Sequence, residues 1–183
     1  MERKTMQESL TNQLDESSSH NNFQLCTFNE LSPLQLNSRK DFQLEEKYSN
    51  ICKAFKKIVP DKELRKRRPY SVLYLVSPER IVGFVILKHI SNLPNSFKNK
   101  LNVPIGTEAI EVCFLAVDKR YRKRQFGEIL LMEAIWQSKE FAQENPLCSI
   151  LYLNAADEIS AAFYKKQGLE RYPGSLVFVQ SLK

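Results

Sequence analysis

A dense cluster of positive charge stands between an apolar segment and a helical pattern in the second half of the chain. Five of the six residues at positions 119–124 are Lys or Arg, and Gly127 follows shortly after them. The first N–H groups of a helix have no partner within the helix, and the helix dipole adds positive charge there. Phosphates bind well at such a place, and glycine lets them approach the backbone. The cluster therefore predicts a di- or triphosphate site with Arg122, Lys123 and Arg124 as counter-charges, the alternative being a solvated basic turn.

Hydrophobic patterns on both sides of this cluster predict the elements that position it. Residues 110–117 are an almost continuous apolar run, typical of a strand buried on both faces, and 126–143 have a helical pattern. Further strands are predicted at 23–28, 70–77, 81–90, 148–155 and 175–182, and further helices at 41–58 and 157–167. This order indicates an α/β structure with helices packed on a mixed sheet.

The composition fits one globular domain behind a polar tail. The chain has 183 residues, of which 43% are apolar, and a net charge of +6 with a pI near 9.1. Residues 1–22 contain few apolar anchors and are predicted to be a mobile tail, whereas 23–183 should form a single domain. The basic balance permits an anionic partner, which could be nucleic acid, a membrane face or a phosphorylated cofactor.

The cysteines and the apolar segments exclude several other classes of protein. The four cysteines are far apart and form no CxxC pair, so we expect no metal site of the usual spacing. Scattered thiols suit a reducing cytosol better than a disulfide framework. No apolar run follows the N-terminal charges, and no window of about 18 apolar residues exists. We therefore expect neither a signal peptide nor a membrane span, and a cytoplasmic location.

The basic cluster and the strand before it resemble motif A of the GNAT superfamily of N-acetyltransferases. In that motif a strand ending in a Leu-Ala-Val type triplet is followed by Arg-Gly-x-Gly-x-Gly/Ala and a helix. Here residues 115–117 correspond to the triplet, and Arg122 and Gly127 match the two ends of the loop signature. Lys123 and Gln125 replace the two inner glycines, which makes the loop bulkier.

A second segment resembles motif B of the same superfamily. Residues 154–169, NAADEISAAFYKKQGL, are similar to the pattern Asn-x-x-Ala-x-x-Phe-Tyr-x-x-x-Gly-Phe that closes the cofactor cleft. Phe163, Tyr164 and Gly168 occupy the expected positions, and Leu169 replaces the common Phe. The two motifs together, with a strand between them, are far more specific than either one alone.

The resemblance implies a fold and a cofactor. The fold is a GNAT-like mixed, mostly antiparallel central sheet with two splayed parallel strands and helices on both faces. The cofactor is acetyl-CoA, which lies between the splayed strands while the backbone of Leu115 and Val117 pairs with its pantetheine arm like an added strand. The residues that the resemblance assigns to cofactor binding are Leu115, Ala116, Val117, Arg122, Lys123, Arg124, Gln125, Phe126, Gly127, Glu128, Asn154 and Phe163.

Acetyl transfer to an amine requires a base, a donor for the oxyanion and an acid for the departing thiolate. By resemblance Tyr164 is the general acid and Glu111 a candidate general base. Otherwise Tyr164 is a core tyrosine and Glu111 a strand-end carboxylate paired to a surface lysine. Simple strand alternation places Glu111 on one face with Cys113, Leu115 and Val117, so its direction relative to the cleft stays open. Cys113 is expected to be apolar filler.

The acceptor is not specified by these motifs. The layout before motif A and the style of motif B resemble the acetyltransferase toxins of bacterial toxin–antitoxin pairs, which modify aminoacyl-tRNA. The basic clusters at 62–68 and 119–124 would suit such an acceptor, and an antitoxin partner or a homodimer would be compatible with it. A small-molecule amine and a protein amino group remain open. A non-catalytic module that binds CoA, RNA or a protein through a degraded cofactor loop is the alternative of a different class.

Overall fold

A seven-stranded sheet is the frame of the described part of the chain, which covers residues 23–58, 70–93, 97 and 103–183 of this computed structural model. The strands are β1 (Gln24–Thr27), β2 (Tyr70–Val76), β3 (Ile81–Ile90), β4 (Glu108–Val117), β5 (Cys148–Asn154), β6 (Glu170–Arg171) and β7 (Val177–Ser181). Their order is β1-β2-β3-β4-β5-β7-β6, and each neighbouring pair is antiparallel except the parallel pair of β4 and β5. The predicted mixed, mostly antiparallel sheet is thereby confirmed. The tail predicted at 1–22 and the basic cluster at 62–68 lie outside the described residues.

Helices pack on both faces of this sheet, as predicted. They are α1 (Pro33–Ser38), α2 (Ser49–Ile58), α3 (Phe126–Glu144) and α4 (Glu158–Lys166). Leu130 of α3 and Tyr164 of α4 lie in one hydrophobic core with side chains from β3, β4 and β5. On the opposite face, Phe55 of α2 stacks on Phe84 of β3 with 4.0 Å between ring centroids. Among the described residues, no helix is both long and apolar enough to cross a bilayer.

The start of α3 packs closely on the sheet because β3 has a glycine beneath it. A Cβ atom added at Gly83 would lie 2.8 Å from Cδ1 of Leu130 and 3.0 Å from the carbonyl oxygen of Ala116. Gly83 therefore sets how near α3, and with it the basic loop before α3, approaches the sheet.

The helix predicted at 41–58 is wrong in its first half. Asp41 ends a 3-10 turn, the chain is extended at Phe42 and at Glu45, and α2 begins only at Ser49. Contacts distant in sequence hold the extended part. The N–H of Gln43 donates to Oδ2 of Asp118 over 3.0 Å, and the carbonyl of Gln43 accepts from the N–H of Lys119 over 2.9 Å. The amphipathic spacing of 41–58 could not reveal these partners, and α1 and β6 were not predicted either.

A β-bulge at Cys113 divides β4 into two halves. On the neighbouring strand Ile86 pairs with Phe114, but the next residue, Leu87, pairs with Val112. Cys113 is therefore the extra residue of the bulge, and the alternation of side chains between the two faces shifts at this point.

The bulge changes which residues of β4 share a face. Leu115 and Val117 pack against the core under α3, whereas Cys113 and Phe114 both pack against the core under α2. Glu111 lies on the face of Cys113, because only one residue separates them before the bulge. The expectation that simple alternation places Glu111 with Leu115 and Val117 is thus wrong.

Candidate active site

A cleft opens where the parallel strands β4 and β5 separate. Their last paired residues are Val112 and Leu153, and β4 continues to Val117 with no β5 partner among the described residues. The unpaired half of β4, residues 113–117, lines a cavity of about 630 Å³ together with the starts of α3 and α4. Because its edge toward β5 is free, this half of β4 can pair with an extended ligand as another strand would.

The basic loop forms one wall of the cavity. α3 begins at Phe126, and its N-cap residue Gln125 makes no capping hydrogen bond with its side chain. The carbonyl of Gln125 accepts from the N–H groups of Glu128 and Ile129 over 2.9 and 3.1 Å. The N–H groups of Phe126 and Gly127, which precede these two donors, have no intrahelical acceptor, which makes this end of α3 suited to an anion.

Two residues of this loop have a backbone conformation that normally favours glycine. Lys123 has a φ of 64° and Gln125 a φ of 60°, both in the left-handed region. These are the two positions at which the superfamily motif has its inner glycines. The loop therefore keeps the conformation of a glycine-containing loop although its side chains are larger, and both side chains are exposed at the mouth of the cavity.

The other charged residues of the loop differ in their contacts. Arg122 lines the cavity and forms an ion pair with Glu45. The guanidinium of Arg124 lies 5.7 Å from the ring centroid of Tyr121 and does not belong to the lining of the cavity. Of the three predicted counter-charges, Arg122 and Lys123 thus border the cavity and Arg124 does not.

A strap, defined as residues 44–48, crosses the cavity and contacts both of its walls. On one side Glu45 pairs with Arg122. On the other side Nζ of Lys47 and the hydroxyl of Tyr48 lie 2.7 Å and 2.6 Å from Oδ2 of Asp157. The strap was not predicted, because its charged residues fit the polar face of the helix predicted at 41–58.

Asp157 joins the strap to the helix that carries Tyr164. Its other carboxylate oxygen accepts from the N–H of Ser160 over 2.9 Å and caps α4. The hydrogen bonds from Lys47 and then Tyr48 hold the pKa of Asp157 well below its usual range. The predicted start of α4 is confirmed, and Gly168 ends the helix with a φ of 84° as expected for a C-cap.

Tyr164 lines the cavity from α4 and is only 8% exposed. Burial, with a smaller contribution from nearby Tyr48, raises the pKa of Tyr164 to about 12. The ring of Phe163 lies against it with 5.1 Å between centroids, and the same ring would lie 3.6 Å from a Cβ added at Gly127. At neutral pH the hydroxyl of Tyr164 is protonated, so this cavity-lining residue has the proton that a general acid needs.

Glu111 does not belong to the lining of the cavity. On its face of the sheet it is flanked by Lys88 of β3 and Tyr152 of β5, which are its partners in register. Glu111 and Tyr152 are neighbours across the parallel ladder, and burial together with the nearby carboxylate of Glu111 raises the pKa of Tyr152. The ion pairs of the described residues do not include one between Glu111 and Lys88. Tyr152 was missed because nothing in its apolar strand pattern marks it.

The remaining predicted residues lie around the cavity. Burial raises the pKa of the Cys113 thiol to about 12, so this cavity-lining residue stays a neutral thiol. No cluster of three metal-binding side chains occurs in the described ranges of the chain. The other predicted residues that line the cavity are Leu115, Ala116, Val117, Phe126, Gly127, Glu128, Asn154 and Phe163.

Comparison with known sequences and structures places this geometry in context. The sequence profile described as "Acetyltransferase (GNAT) family" matches residues 34–169, and a search of curated proteins gave no match. A Tyr-to-Phe mutant of KacT is similar in fold at 15% identity with a TM-score of 0.69, covering 89% of this chain and 96% of that chain.

Two structures of AtaT are also similar. AtaT complexed with acetyl-methionyl-tRNAfMet has a TM-score of 0.64 at 13% identity, covering 87% of this chain and 95% of that chain. A Tyr-to-Phe mutant of the AtaT toxin, bound to the C-terminus of the antitoxin AtaR and acetyl-CoA, has a TM-score of 0.63 at 12% identity, covering 90% of this chain and 94% of that chain. At such identities the likeness establishes the fold.

Proposed function

Because this chain belongs to the acetyltransferase (GNAT) family, we propose that it transfers the acetyl group of acetyl-CoA directly to a primary amine. The observation that carries this proposal is the free edge of β4, which borders one cavity together with the start of α3 and Tyr164. A strand edge, an anion site and a proton donor are the three features that a thioester on a phosphorylated arm requires.

The cavity residues fit acetyl-CoA in type. The outward N–H groups at the start of α3, with Arg122 and Lys123, would hold the pyrophosphate. Backbone groups of Leu115 and Val117 would pair with the amides of the pantetheine arm. When bound, the cofactor supplies an activated acetyl group and a thiolate leaving group.

Tyr164 is the proposed general acid. Its raised pKa of about 12 keeps the phenol protonated, and its place in the cavity allows it to donate that proton to the departing sulfur. Cys113 also lines the cavity, but its neutral thiol is a poor nucleophile. Direct transfer to the amine is therefore favoured over a covalent acetyl-cysteine intermediate.

Glu111 is the proposed general base. It lies on the sheet face opposite α3 and close to the bulge where β4 leaves β5. A carboxylate there can take a proton from an amine that approaches from that face, directly or through one water molecule. The cavity is lined by residues from both faces of β4, Leu115 and Val117 on the side of α3 and Cys113 and Phe114 on the side of Glu111. An amine beside Glu111 would therefore approach the thioester from the side opposite α3.

Aminoacyl-tRNA is the acceptor that we propose. The fold is similar to that of AtaT, whose structure contains acetyl-methionyl-tRNAfMet. Exposed cations at Lys119, Lys123 and Arg124 stand near the mouth of the cavity, where they could neutralise phosphates of a nucleic acid. An antitoxin is a corresponding protein partner, in keeping with the AtaT structure that contains AtaR.

Cofactor binding and transfer can be tested in sequence. Acetyl-CoA at 100 times its Kd should stabilise the fold by about 2.7 kcal/mol in a thermal melt. Labelled acetyl-CoA is then offered with bulk aminoacyl-tRNA, a lysine-containing peptide or spermidine. Tyr164→Phe should lose about 10²-fold or more in turnover with cofactor binding kept, and Tyr172→Phe, which changes a tyrosine outside the cavity lining, is the matched control. Equal turnover of Tyr164→Phe and the parent would remove Tyr164 from the mechanism.

A non-catalytic binding module is the second candidate. Two observations favour it: the loop has Lys123 and Gln125 in place of glycines, and Glu45 pairs with Arg122 where a phosphate would compete. A module that binds RNA or a protein through a degraded loop would show no stabilisation by millimolar acetyl-CoA in the thermal melt. A module that binds CoA without catalysis would be stabilised but would transfer no acetyl group to any of the three acceptors.

A further inference from the structure

We propose that Tyr152 positions Glu111, and that the two side chains together form the binding site for the ammonium group of the acceptor. This inference rests on the proposed acetyl transfer and adds to it a residue outside both sequence motifs. Tyr152 would act through Glu111, as a positioning residue.

The sheet brings the two side chains together at a particular place. Glu111 and Tyr152 are partners in the parallel ladder, directly before its last pair of Val112 and Leu153. They therefore stand on the face opposite α3 at the point where the two strands begin to separate. Cys113, two residues after Glu111, already lines the cavity. A group bound to Glu111 would thus lie beside the part of the cavity that Cys113 lines.

The phenol of Tyr152 is held firmly. Its side chain is 9% exposed and belongs to a small core with Leu93 and Ala109. The ring of Phe97 packs on it with 4.8 Å between centroids. A ring fixed in this way presents its hydroxyl in one direction, and in addition to burial the carboxylate of Glu111, its partner in register, is close enough to raise the pKa of that hydroxyl. A hydrogen bond donated by this hydroxyl would restrict a carboxylate that otherwise rotates freely, since Glu111 is only partly buried.

The chemistry of the pair suits a primary ammonium. The hydroxyl of Tyr152 can satisfy one carboxylate oxygen of Glu111, which leaves the other oxygen free to accept from the acceptor's N–H groups and then to take one proton. The neighbouring groups on this face are Lys88, which forms no ion pair with Glu111 within the described ranges, and the neutral thiol of Cys113. Lys88 thus leaves the carboxylate available to an incoming cation.

The test is a double-variant cycle in the full chain, built on Tyr152→Phe and Glu111→Gln. Tyr152→Phe removes only the hydroxyl and keeps the ring that packs on Phe97. We expect kcat to fall about tenfold to a hundredfold, which is the usual value of a hydrogen bond to a charged group. The KM for acetyl-CoA and the melting temperature should stay at the parent values. Glu111→Gln should lower kcat by a larger factor than Tyr152→Phe does. Adding Tyr152→Phe to Glu111→Gln should lower kcat no further, because the effects of residues that act as one unit are not additive.

The acceptors in this assay are bulk aminoacyl-tRNA, the lysine-containing peptide and spermidine, and Tyr172→Phe is again the control. Losses that multiply in the double variant would overturn the inference, and so would a Tyr152→Phe protein that loses stability and acetyl-CoA binding together with turnover. An active parent with an equally active Tyr152→Phe variant overturns this inference alone. A parent that neither binds acetyl-CoA nor acetylates any of the three acceptors overturns the proposed function as well.

Discussion

Relief of backbone strain in the basic loop should stabilise this protein. Lys123 and Gln125 have φ values of 64° and 60°, in a region where a side chain approaches the following carbonyl oxygen too closely. Lys123→Gly and Gln125→Gly remove the Cβ atom that causes this conflict. They also restore the glycines that the superfamily motif has at these two positions.

The expected magnitude follows from two opposing effects. A left-handed conformation costs a non-glycine residue about 1–2 kcal/mol. The substitution by glycine offsets about 0.5–1 kcal/mol of the stabilisation gained by removing this strain, because glycine increases the conformational freedom of the unfolded chain. The net gain is therefore about 0.5–1 kcal/mol at each site and about 1–2 kcal/mol for both. In a chain of this size, that corresponds to a rise in Tm of roughly 2–8 °C.

The measurement is a thermal or urea unfolding curve for the single and double glycine variants. Arg124→Gly is the matched control, because Arg124 lies between the two strained residues and is outside the left-handed region. It should destabilise the protein by about 0.5–1 kcal/mol. Lys123→Ala removes the charge but keeps the strain, and should leave stability near the parent value. If Lys123→Gly and Gln125→Gly lower stability as Arg124→Gly does, Lys123 and Gln125 do not have the strained left-handed conformation from which the gain is calculated.

Three further predictions concern packing, pH and the cavity thiol. Gly83→Ala should lower the free energy of unfolding by about 1–3 kcal/mol in urea, since its Cβ would lie 2.8 Å from a side chain of α3, whereas Gly127→Ala, which meets nothing nearer than 3.6 Å, should cost far less. The contacts that lower the pKa of Asp157 stabilise the fold at pH values above about 3.9, the pKa of an unfolded aspartate, and this stabilisation is lost as pH falls below that value. Asp157→Asn should therefore make Tm less dependent on pH below about 4. An unchanged dependence of Tm on pH would exclude the ion pair with Lys47 as its cause. Cys113, with a thiol pKa of about 12, should alkylate at pH 8 far more slowly than free cysteine, and Cys113→Ala should keep acetyl transfer; rapid alkylation or loss of transfer would contradict the neutral, non-nucleophilic role.

Most of the candidate cavity could be predicted because its residues belong to two continuous segments. The loop from Arg122 to Gly127 and the helix that carries Tyr164 are each recognisable by local spacing, and both border one cavity in the structure. Where a strand leads directly into a helix, the N–H groups of the first helical turn and the charges of the connecting loop are neighbours in sequence. No contact with a distant part of the chain is therefore needed to form that wall.

The parts that could not be predicted depend on partners far away in the chain. The chain is extended as it enters the strap because Asp118, which lies 75 residues later than Gln43 in the sequence, binds the backbone of Gln43. Arg122 meets Glu45 for the same reason, and the amphipathic spacing of the strap gave no sign of either contact. Tyr152 carries no local signal, because an aromatic residue in an apolar strand most often only packs.

The sequence by itself determined the order of strands and helices around the basic loop, the family and the residues of the cavity wall that this loop forms, because these follow from hydrophobic periodicity and from short motifs. Only the tertiary structure decided which face Glu111 occupies. A bulge arises from the pairing of β4 with β3, and a single extra residue at Cys113 shifts the alternation of side chains, so that Glu111 and Leu115, which simple alternation would put on one face, lie on opposite faces. Strand pairing, rather than local pattern, therefore places the proposed base beside Tyr152 and outside the lining of the cavity.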